Sequence, residues 1–187
     1  MAEAEPAADL IRRARAYDRD AFAELYRRTV GPVYRYCSVR VDGGAAEAEE
    51  VTQEVYMAAL SGIERLRAES ELAFLAWLYQ IARHKLADRL RARYRRPTAP
   101  LDAAGEVAAA DPLPGDEALA EADRAAVRRA LAELTADQRE VIVCKYVLGY
   151  DNARTAVVVG KNANAVNQLH HRALARLRGL LAGEREP

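Results

Sequence analysis

The sequence predicts an all-α protein with two small helical domains joined by a flexible linker. Ala, Leu, Arg and Glu recur at helical spacing over both ends of the chain, and strand patterns are nearly absent. Between these ends, residues 97–116 hold four prolines among alanines and acids. Such a composition buries too little apolar surface to order a chain. We therefore expect one domain over 1–96, a linker over 97–116 and a second domain over 117–187.

The first half of the chain contains three predicted helices. Apolar residues recur at helical spacing from Phe22 to Tyr36, and the pair Gly31 and Pro32 is expected to bend or break that helix. A second helix is predicted over 45–61 and a third over 74–95.

The third predicted helix has two faces of different chemistry. At 100° per residue, its apolar face consists of Leu75, Leu78, Ala82, Leu86 and Leu90. The opposite face consists of Trp77, Gln80, His84, Asp88, Arg91 and Arg95. An aromatic ring beside polar and cationic groups suits unpaired nucleic acid, because bases stack on rings and phosphates bind arginine. The structural alternative is that Trp77 packs against the preceding loop, and the two roles are compatible.

The second half begins with a well-marked helix. Thr135 and Gln138 fit a capping box, in which the Thr side chain caps the helix and the Gln side chain reaches back. Gly149 is expected to end this helix, and Asp151 to cap a short one that follows. The pattern therefore predicts two consecutive helices here, one capped by Thr135 and a short one capped by Asp151.

Gly160 is expected to form a tight turn between the short helix, 152–159, and a last helix over about 162–181. One face of this last helix is apolar and contains Val166, Leu169, Ala173, Leu177 and Leu180. The other face contains Asn164, Asn167, Gln168, His171, Arg172 and Arg178. Asn and Gln pair with adenine edges and Arg with guanine, which favours a DNA-binding helix-turn-helix. A solvated amphipathic helix would have the same composition.

The charges of the chain balance to zero but are segregated. Residues 83–96 carry seven Lys or Arg residues against one acid, whereas residues 102–123 carry seven acids and no base. Blocks of this kind suggest separate contacts with polyanions and with basic partners.

Several classes of protein are disfavoured by what the sequence contains. It has no phosphate-binding loop, zinc-protease motif or nucleophile motif, so we expect no catalytic residue, cofactor or small-molecule substrate. Cys37 and Cys144 match no metal or disulfide spacing and are expected in the core, while the adjacent His170 and His171 point to different faces. An acidic N-terminus and the lack of a long apolar run predict a cytoplasmic protein without membrane contact.

In order along nearly its whole length, the chain resembles the extracytoplasmic-function (ECF) sigma factors of the sigma-70 family. The run from Glu47 to Tyr56 resembles their region 2.2, the run from Trp77 to Arg91 resembles regions 2.3 and 2.4, and the run from Leu134 to Arg178 resembles region 4. The resemblance implies an alternative sigma factor that joins core RNA polymerase and directs promoter recognition. The chain departs from the family at His84, where Asn is common, and at Asn167, where a basic residue is common.

The resemblance also implies residue roles. The clamp helices of the largest polymerase subunit would contact Glu47, Glu49, Glu50, Gln53 and Glu54. The −10 element would be recognised and melted by Trp77, Gln80, Arg83, His84, Lys85, Asp88 and Arg91. A loop capping the flipped −10 base would use Arg67 and Ser70. The −35 groove would be contacted by Asn164, Asn167, Gln168, His171, Arg172 and Arg178.

The partners implied by the resemblance are core RNA polymerase, through its clamp helices and its flap, and promoter DNA. Members of the family are usually held in check by an anti-sigma factor that occludes both domains, so such a factor is a further candidate partner. The alternative function is a helix-turn-helix transcriptional regulator that does not associate with core polymerase. Such a regulator would have no use for the pattern from Glu47 to Arg91.

Overall fold

The computed structural model describes residues 5–95 and 125–183, and every regular element in these ranges is helical. The N-terminal unit contains α1 (Ala7–Arg15), α2 (Arg19–Ser38), α3 (Gly44–Gly62), a single 3₁₀ turn (Ile63–Arg65) and α4 (Glu71–Arg95). The C-terminal unit contains α5 (125–132), α6 (Ala136–Ile142) with a wide π turn (Val143–Val147), α7 (Asn152–Val159) and α8 (Ala163–Gly183). The all-α prediction is confirmed. The predicted linker, 97–116, and its boundaries lie outside the described residues.

Helix α2 runs through Pro32 without a break, so of the two outcomes expected at Gly31 and Pro32, the break is wrong and a bend stays a prediction. Proline removes one backbone hydrogen bond from a helix and its ring crowds the carbonyl four residues earlier, which together cost roughly 3 kcal/mol. Leu25, Val33 and Tyr36 are fully buried on both sides of it. The apolar surface that these residues bury outweighs the lost bond and keeps the helix continuous.

The N-terminal unit packs its four helices around one apolar core. Helix α3 contributes Val51, Val55 and Ala59, which are four residues apart and completely buried. Helix α4 begins at Glu71, three residues earlier than predicted, and the Ser70 hydroxyl oxygen accepts a hydrogen bond from the Ala73 amide at 3.2 Å. A side-chain cap of this kind allows a helix to begin there.

The predicted apolar face of α4 holds for its first turns and is wrong at its end. Leu75, Leu78 and Ala82 are buried, whereas Leu90 is 50% exposed. The last turns of α4 are attached to α3 by charged contacts of Arg89 and Arg93 instead of by apolar packing. Leu90 therefore remains at the surface.

The helix boundaries of the C-terminal unit follow the predicted caps. Thr135 and Gln138 form both bonds of the capping box, and Asp151 accepts a hydrogen bond from the Arg154 amide at 2.7 Å. Gly160 has φ +69° and connects α7 to α8. A residue with a Cβ atom is strained in that left-handed conformation, which explains glycine at the turn.

The two units share one core. Val143, Cys144 and Val158 of the C-terminal unit join the apolar cluster of the N-terminal unit, and α7 packs along α4. Cys37 and Cys144 are buried free thiols, as expected, and burial raises their pKa values to about 11 and about 12. Within the described ranges, no helix is both long and apolar enough to cross a membrane.

Candidate polymerase and promoter interfaces

The five predicted polymerase contacts all lie on α3, but they divide between two surroundings. Glu49, Glu50 and Gln53 are exposed, while Glu47 and Glu54 turn toward α4 and are partly buried. The division follows from helical geometry, because residues 47 and 54 are seven apart and share a face. The exposed group is therefore the part of this set that a partner can reach directly.

Arg89 of α4 neutralises much of this acidic surface. Its guanidinium lies 2.9 Å from Glu50, 2.5 Å from Glu54 and 3.8 Å from Glu47. The hydrogen bond from Arg89 lowers the pKa of Glu50, and the same contacts raise the pKa of Arg89. Arg93 lies 3.3 Å from Glu47 and also contacts Asp42. The α3 acids thus help to attach α4 to the bundle.

An apolar groove of about 930 Å³ lies between α2 and α3, beside the exposed acids. Tyr26 and Tyr56 line it with their rings edge to face at 4.7 Å, and Met57 is 63% exposed. Glu49, Glu50 and Gln53 also line it. The sequence analysis missed this groove, although Tyr56 and Met57 directly follow the predicted acidic contacts. The groove combines apolar side chains with acids, as a docking surface for a basic amphipathic helix would.

The environment of Trp77 is compatible with both roles considered from the sequence, packing within the protein and stacking on a base. It is partly buried, with its ring 5.9 Å from that of Phe74 and with one edge beside Gly62. Trp77 therefore packs against its own helix and against the end of α3, and part of the indole remains open to solvent. The same side chain can both pack and stack a base.

The other predicted −10 residues are spread over the outer side of α4. Gln80, His84, Asp88 and Arg91 are exposed. Asp88 pairs with Arg91, which lowers the pKa of Asp88, and Lys85 lies 3.9 Å from Glu54. The structure thus gathers these groups on one accessible surface, with Arg91 partly neutralised.

The predicted loop residues Arg67 and Ser70 lie between the 3₁₀ turn and α4. Both are exposed. Ser70 already accepts the bond that caps α4 and keeps its hydroxyl proton to donate. Residues 71–73, which precede the third predicted helix (74–95), belong to α4.

The six predicted −35 residues lie together on the exposed face of α8. These exposed residues are Asn164, Asn167, Gln168, His171, Arg172 and Arg178. The opposite face is anchored by Val166 and Ala173, which are completely buried. His170 donates to or accepts from the Tyr146 hydroxyl at 3.0 Å, and burial lowers its pKa. Helix α8 is therefore fixed on one side and open on the other.

The sequence analysis missed a buried charge cluster between the two units. Glu140 of α6 has a side chain only 6% exposed, and its two oxygens accept bonds from Arg83 and Arg40 at 2.8 Å each. The Tyr36 hydroxyl also donates to it at 2.9 Å, and the Arg40 guanidinium lies 3.7 Å from the centre of the Tyr36 ring. The sequence signal that could have indicated this cluster is the position of Glu140 directly before the apolar residues Val141 and Ile142. Arg83, a predicted −10 residue, is engaged in this cluster.

The described residues contain no group of three or more His, Cys, Asp or Glu side chains placed to hold a metal ion. The side chains gathered on α3, α4 and α8 are those of binding surfaces: exposed amides, an indole, guanidinium groups and carboxylates. They can recognise bases, phosphates and a basic protein surface.

Comparison with known proteins gives matches along most of the chain. Residues 25–96 match the family described as Sigma-70 region 2, and residues 124–177 match Sigma-70, region 4. The chain is 36% identical over 176 residues to the ECF RNA polymerase sigma factor BldN of Streptomyces coelicolor, covering 92% of this chain and 65% of BldN. It is 37% identical over 173 residues to SigD of Mycobacterium tuberculosis, covering 90% of this chain and 81% of SigD.

Among solved structures, the chain is similar to CnrH, which was determined in complex with the cytosolic domain of CnrY. The TM-score is 0.63 at 26% sequence identity, and the alignment covers 94% of this chain and 97% of CnrH. The similarity therefore includes both helical units.

Proposed function

This chain belongs to the ECF RNA polymerase sigma factors of the sigma-70 family, and we propose that it directs core polymerase to promoters through three separate surfaces. The observation that carries the proposal is the exposed polar face of α8, whose opposite face is buried. The other two surfaces are the groove beside α3 and the outer side of α4.

We propose that core polymerase binds at the groove between α2 and α3. Met57 and Tyr26 offer exposed apolar area, and Glu49, Glu50 and Gln53 surround it with polar and acidic groups. A helix of the polymerase clamp with apolar and basic side chains would bury the former and pair with the latter. Glu47 and Glu54 contribute indirectly, by attaching α4 to α3.

Recognition of the −10 element is assigned to the outer side of α4. Trp77 offers a partly open ring on which an unstacked base can lie, and Gln80 and His84 offer hydrogen-bonding groups one and two turns farther along. Lys85 and Arg91 can contact phosphates. Arg67 and Ser70 are exposed in the segment before α4, and we assign to them the capping of a flipped base.

Recognition of the −35 element is assigned to α8. The first turns of α8 carry Asn164, Asn167 and Gln168, and the next turns carry His171 and Arg172, all exposed. In a helix-turn-helix, residues near the start of the second helix contact base edges in the major groove. Arg178, farther along, is placed for a phosphate.

Three further assignments complete the proposal. The protein acts by binding and has no catalytic role, and it works in the cytoplasm, where the bacterial polymerase and chromosome are. CnrH was solved bound to the cytosolic domain of CnrY. Because ECF sigma factors are usually held in check by an anti-sigma factor, we propose such a factor as a partner of this chain.

Run-off transcription from fragmented genomic DNA, with purified core polymerase and with or without this protein, tests the function. We expect discrete new transcripts whose upstream regions share −35 and −10 sequences. DNA binding without core binding and without transcripts would instead favour the helix-turn-helix regulator.

The groove is tested separately with two exposed apolar residues of α3. Met57 lines the groove, and Leu60 is exposed on the same helix outside it. Met57→Ala should weaken binding of core polymerase several-fold, and Leu60→Ala should leave it unchanged. Equal effects of the two variants would remove the groove from the proposal.

A further inference from the structure

The corner between α1 and α2 holds a strained tyrosine. Among the described residues, Tyr17 is the one residue other than glycine with a positive φ, +63°. A side chain with a Cβ atom is strained in this left-handed conformation. We propose that Tyr17 is a positioning residue, which fixes the segment between the 3₁₀ turn and α4 (66–70) for recognition of the −10 element. This role rests on the function proposed above, in which that segment caps a flipped base.

The backbone at the end of α1 is of a kind that glycine satisfies best. The Tyr17 amide donates to the Ala14 carbonyl oxygen at 2.9 Å, and the Asp18 amide donates to the Arg13 carbonyl oxygen at 3.2 Å. These two bonds form the Schellman motif that ends many helices, and the left-handed position of that motif is usually glycine. Tyrosine is therefore disfavoured here on local grounds, and what its side chain contacts must explain its presence.

The Tyr17 side chain contacts the 3₁₀ turn (Ile63–Arg65). Its hydroxyl donates to a carboxylate oxygen of Glu64 at 2.7 Å, and Arg15 Nε donates to the Glu64 carbonyl oxygen at 3.4 Å. The other carboxylate oxygen of Glu64 lies 3.5 Å from Arg65. The hydrogen bond to Glu64 raises the pKa of Tyr17, so the hydroxyl stays protonated and donates at neutral pH. Both the side chain and the backbone of Glu64 are thus held from the end of α1.

The corner is itself held in place on both sides. Leu10 and Ile11 of α1 are buried in the core. The Asp18 carboxylate caps α2 by accepting bonds from two backbone amides, and it pairs with the Arg13 guanidinium at 2.7 Å. A left-handed residue with a side chain persists only where its surroundings fix it in this way. Tyr17 therefore presents its hydroxyl at a fixed point, to which the 3₁₀ turn is attached.

The 3₁₀ turn borders both parts of the proposed −10 surface. Gly62, directly before the turn, lies beside the Trp77 ring, since a Cβ atom added to it would be 3.6 Å from that ring. Arg67 and Ser70 follow the turn, and Ser70 holds the far end of the segment by its bond to α4. A shift of the turn would therefore change the position of Arg67 relative to Trp77.

Two substitutions of Tyr17 separate positioning from stability. Tyr17→Phe keeps the strained backbone and removes the bond to Glu64. Tyr17→Gly removes the bond and relieves the strain, so thermal unfolding should show it to be at least as stable as wild type. Glu64→Gln keeps an oxygen that accepts from Tyr17 and should behave as wild type, whereas Glu64→Ala should match Tyr17→Phe. The matched control is Tyr146→Phe, because Tyr146 is a tyrosine of the C-terminal unit with a similar exposure, 61% against 64%.

The measurement is the −10 selectivity of holoenzyme assembled from purified core polymerase and each variant. The templates carry one promoter identified by run-off transcription, with each of the other bases placed in turn at every −10 and −35 position. The ratio of transcripts from the preferred base to those from the other bases should fall about 2- to 12-fold at one −10 position for Tyr17→Phe and Tyr17→Gly, the range of one hydrogen bond. It should not change at the −35 positions, and Tyr146→Phe and Glu64→Gln should keep the wild-type ratio at every −10 position.

Wild-type selectivity in both Tyr17 variants would overturn the positioning role. A Tyr17→Gly chain that loses stability and selectivity together would also overturn it, as would an equal loss at the −35 positions, since either result would indicate a general structural effect. Failure of the proposed function is distinguishable, because wild type itself would then yield no transcripts, and the role of Tyr17 in −10 recognition would fall with it.

Discussion

Replacing Arg89 with leucine separates the structural role of the α3 acids from their role in binding polymerase. The Arg89 side chain is 24% exposed and bridges Glu50 and Glu54 at 2.9 and 2.5 Å. Exposed ion pairs contribute roughly 0.2–1 kcal/mol, and loss of one partner of a buried pair costs roughly 3–5 kcal/mol. The cost of losing Arg89 should lie between these limits, because Glu50 and Glu54, its acidic partners, are accessible to water. Leucine keeps the apolar stem, so we expect the free energy of unfolding to fall by about 1–2 kcal/mol.

The same substitution should act on polymerase binding in the opposite direction. Without Arg89, the surface of α3 gains one net negative charge, which attracts a basic partner. A unit charge at about 8 Å contributes about 0.5 kcal/mol in water, so affinity for core polymerase should rise about two-fold. Glu50→Gln, which removes an exposed acid at the groove, should lower that affinity.

Urea unfolding followed by circular dichroism gives the stability, and competition against a labelled wild-type chain gives the affinity for core polymerase. The control is Arg12→Leu, because Arg12 is an exposed cation of α1 that pairs only with Asp9 among the described residues. It should change the free energy of unfolding by less than about 0.5 kcal/mol. The reasoning is refuted if Arg89→Leu leaves stability unchanged, or if it weakens polymerase binding as strongly as Glu50→Gln does.

Three further predictions concern the promoter surfaces and the C-terminal unit. Trp77→Ala should slow initiation about 5- to 150-fold on duplex templates, as expected for loss of one stacked base; Trp77→Phe should retain most activity, and an equal defect on a premelted template would contradict a role in melting. Arg172→Ala should reduce binding to a −35 duplex by a similar factor, whereas Arg176→Ala, one turn farther along α8, should have a clearly smaller effect; equal losses would indicate general charge attraction. Thr135→Ala should lower the free energy of unfolding of the C-terminal unit by about 1 kcal/mol in thermal denaturation, and no change would mean that the capping box does not stabilise α6.

Local signals in the sequence predicted most helices because each signal acts within one turn. The capping box of Thr135 and Gln138, the Asp151 cap and the Gly160 turn all lie where the pattern indicated. The break expected at Gly31 and Pro32 was wrong, although that signal is also local. Burial of the neighbours of Pro32 decided that case, and burial depends on the packed helices.

The site residues that lie on one helix were also predictable as a set. The polar face of α8 follows from 100° per residue once the helix is recognised, and its exposure agrees with the prediction. The groove beside Met57 was not predictable in the same way, because α2 and α3 each contribute one wall. The engagement of Arg83 by Glu140 joins residues 57 positions apart, and no periodic pattern connects them.

The sequence by itself determined the helical class, most helix boundaries and the side chains available on each helix face, because these depend on neighbours within about one turn. Tertiary structure alone decided which of those side chains are exposed and unpaired, and so available to bind a partner. Packing of the two units buried Tyr79, placed Glu140 between Arg40 and Arg83, and left the polar face of α8 exposed. The physical reason is that charge pairing and burial depend on distance in space, and helices far apart in the chain meet only when the units pack.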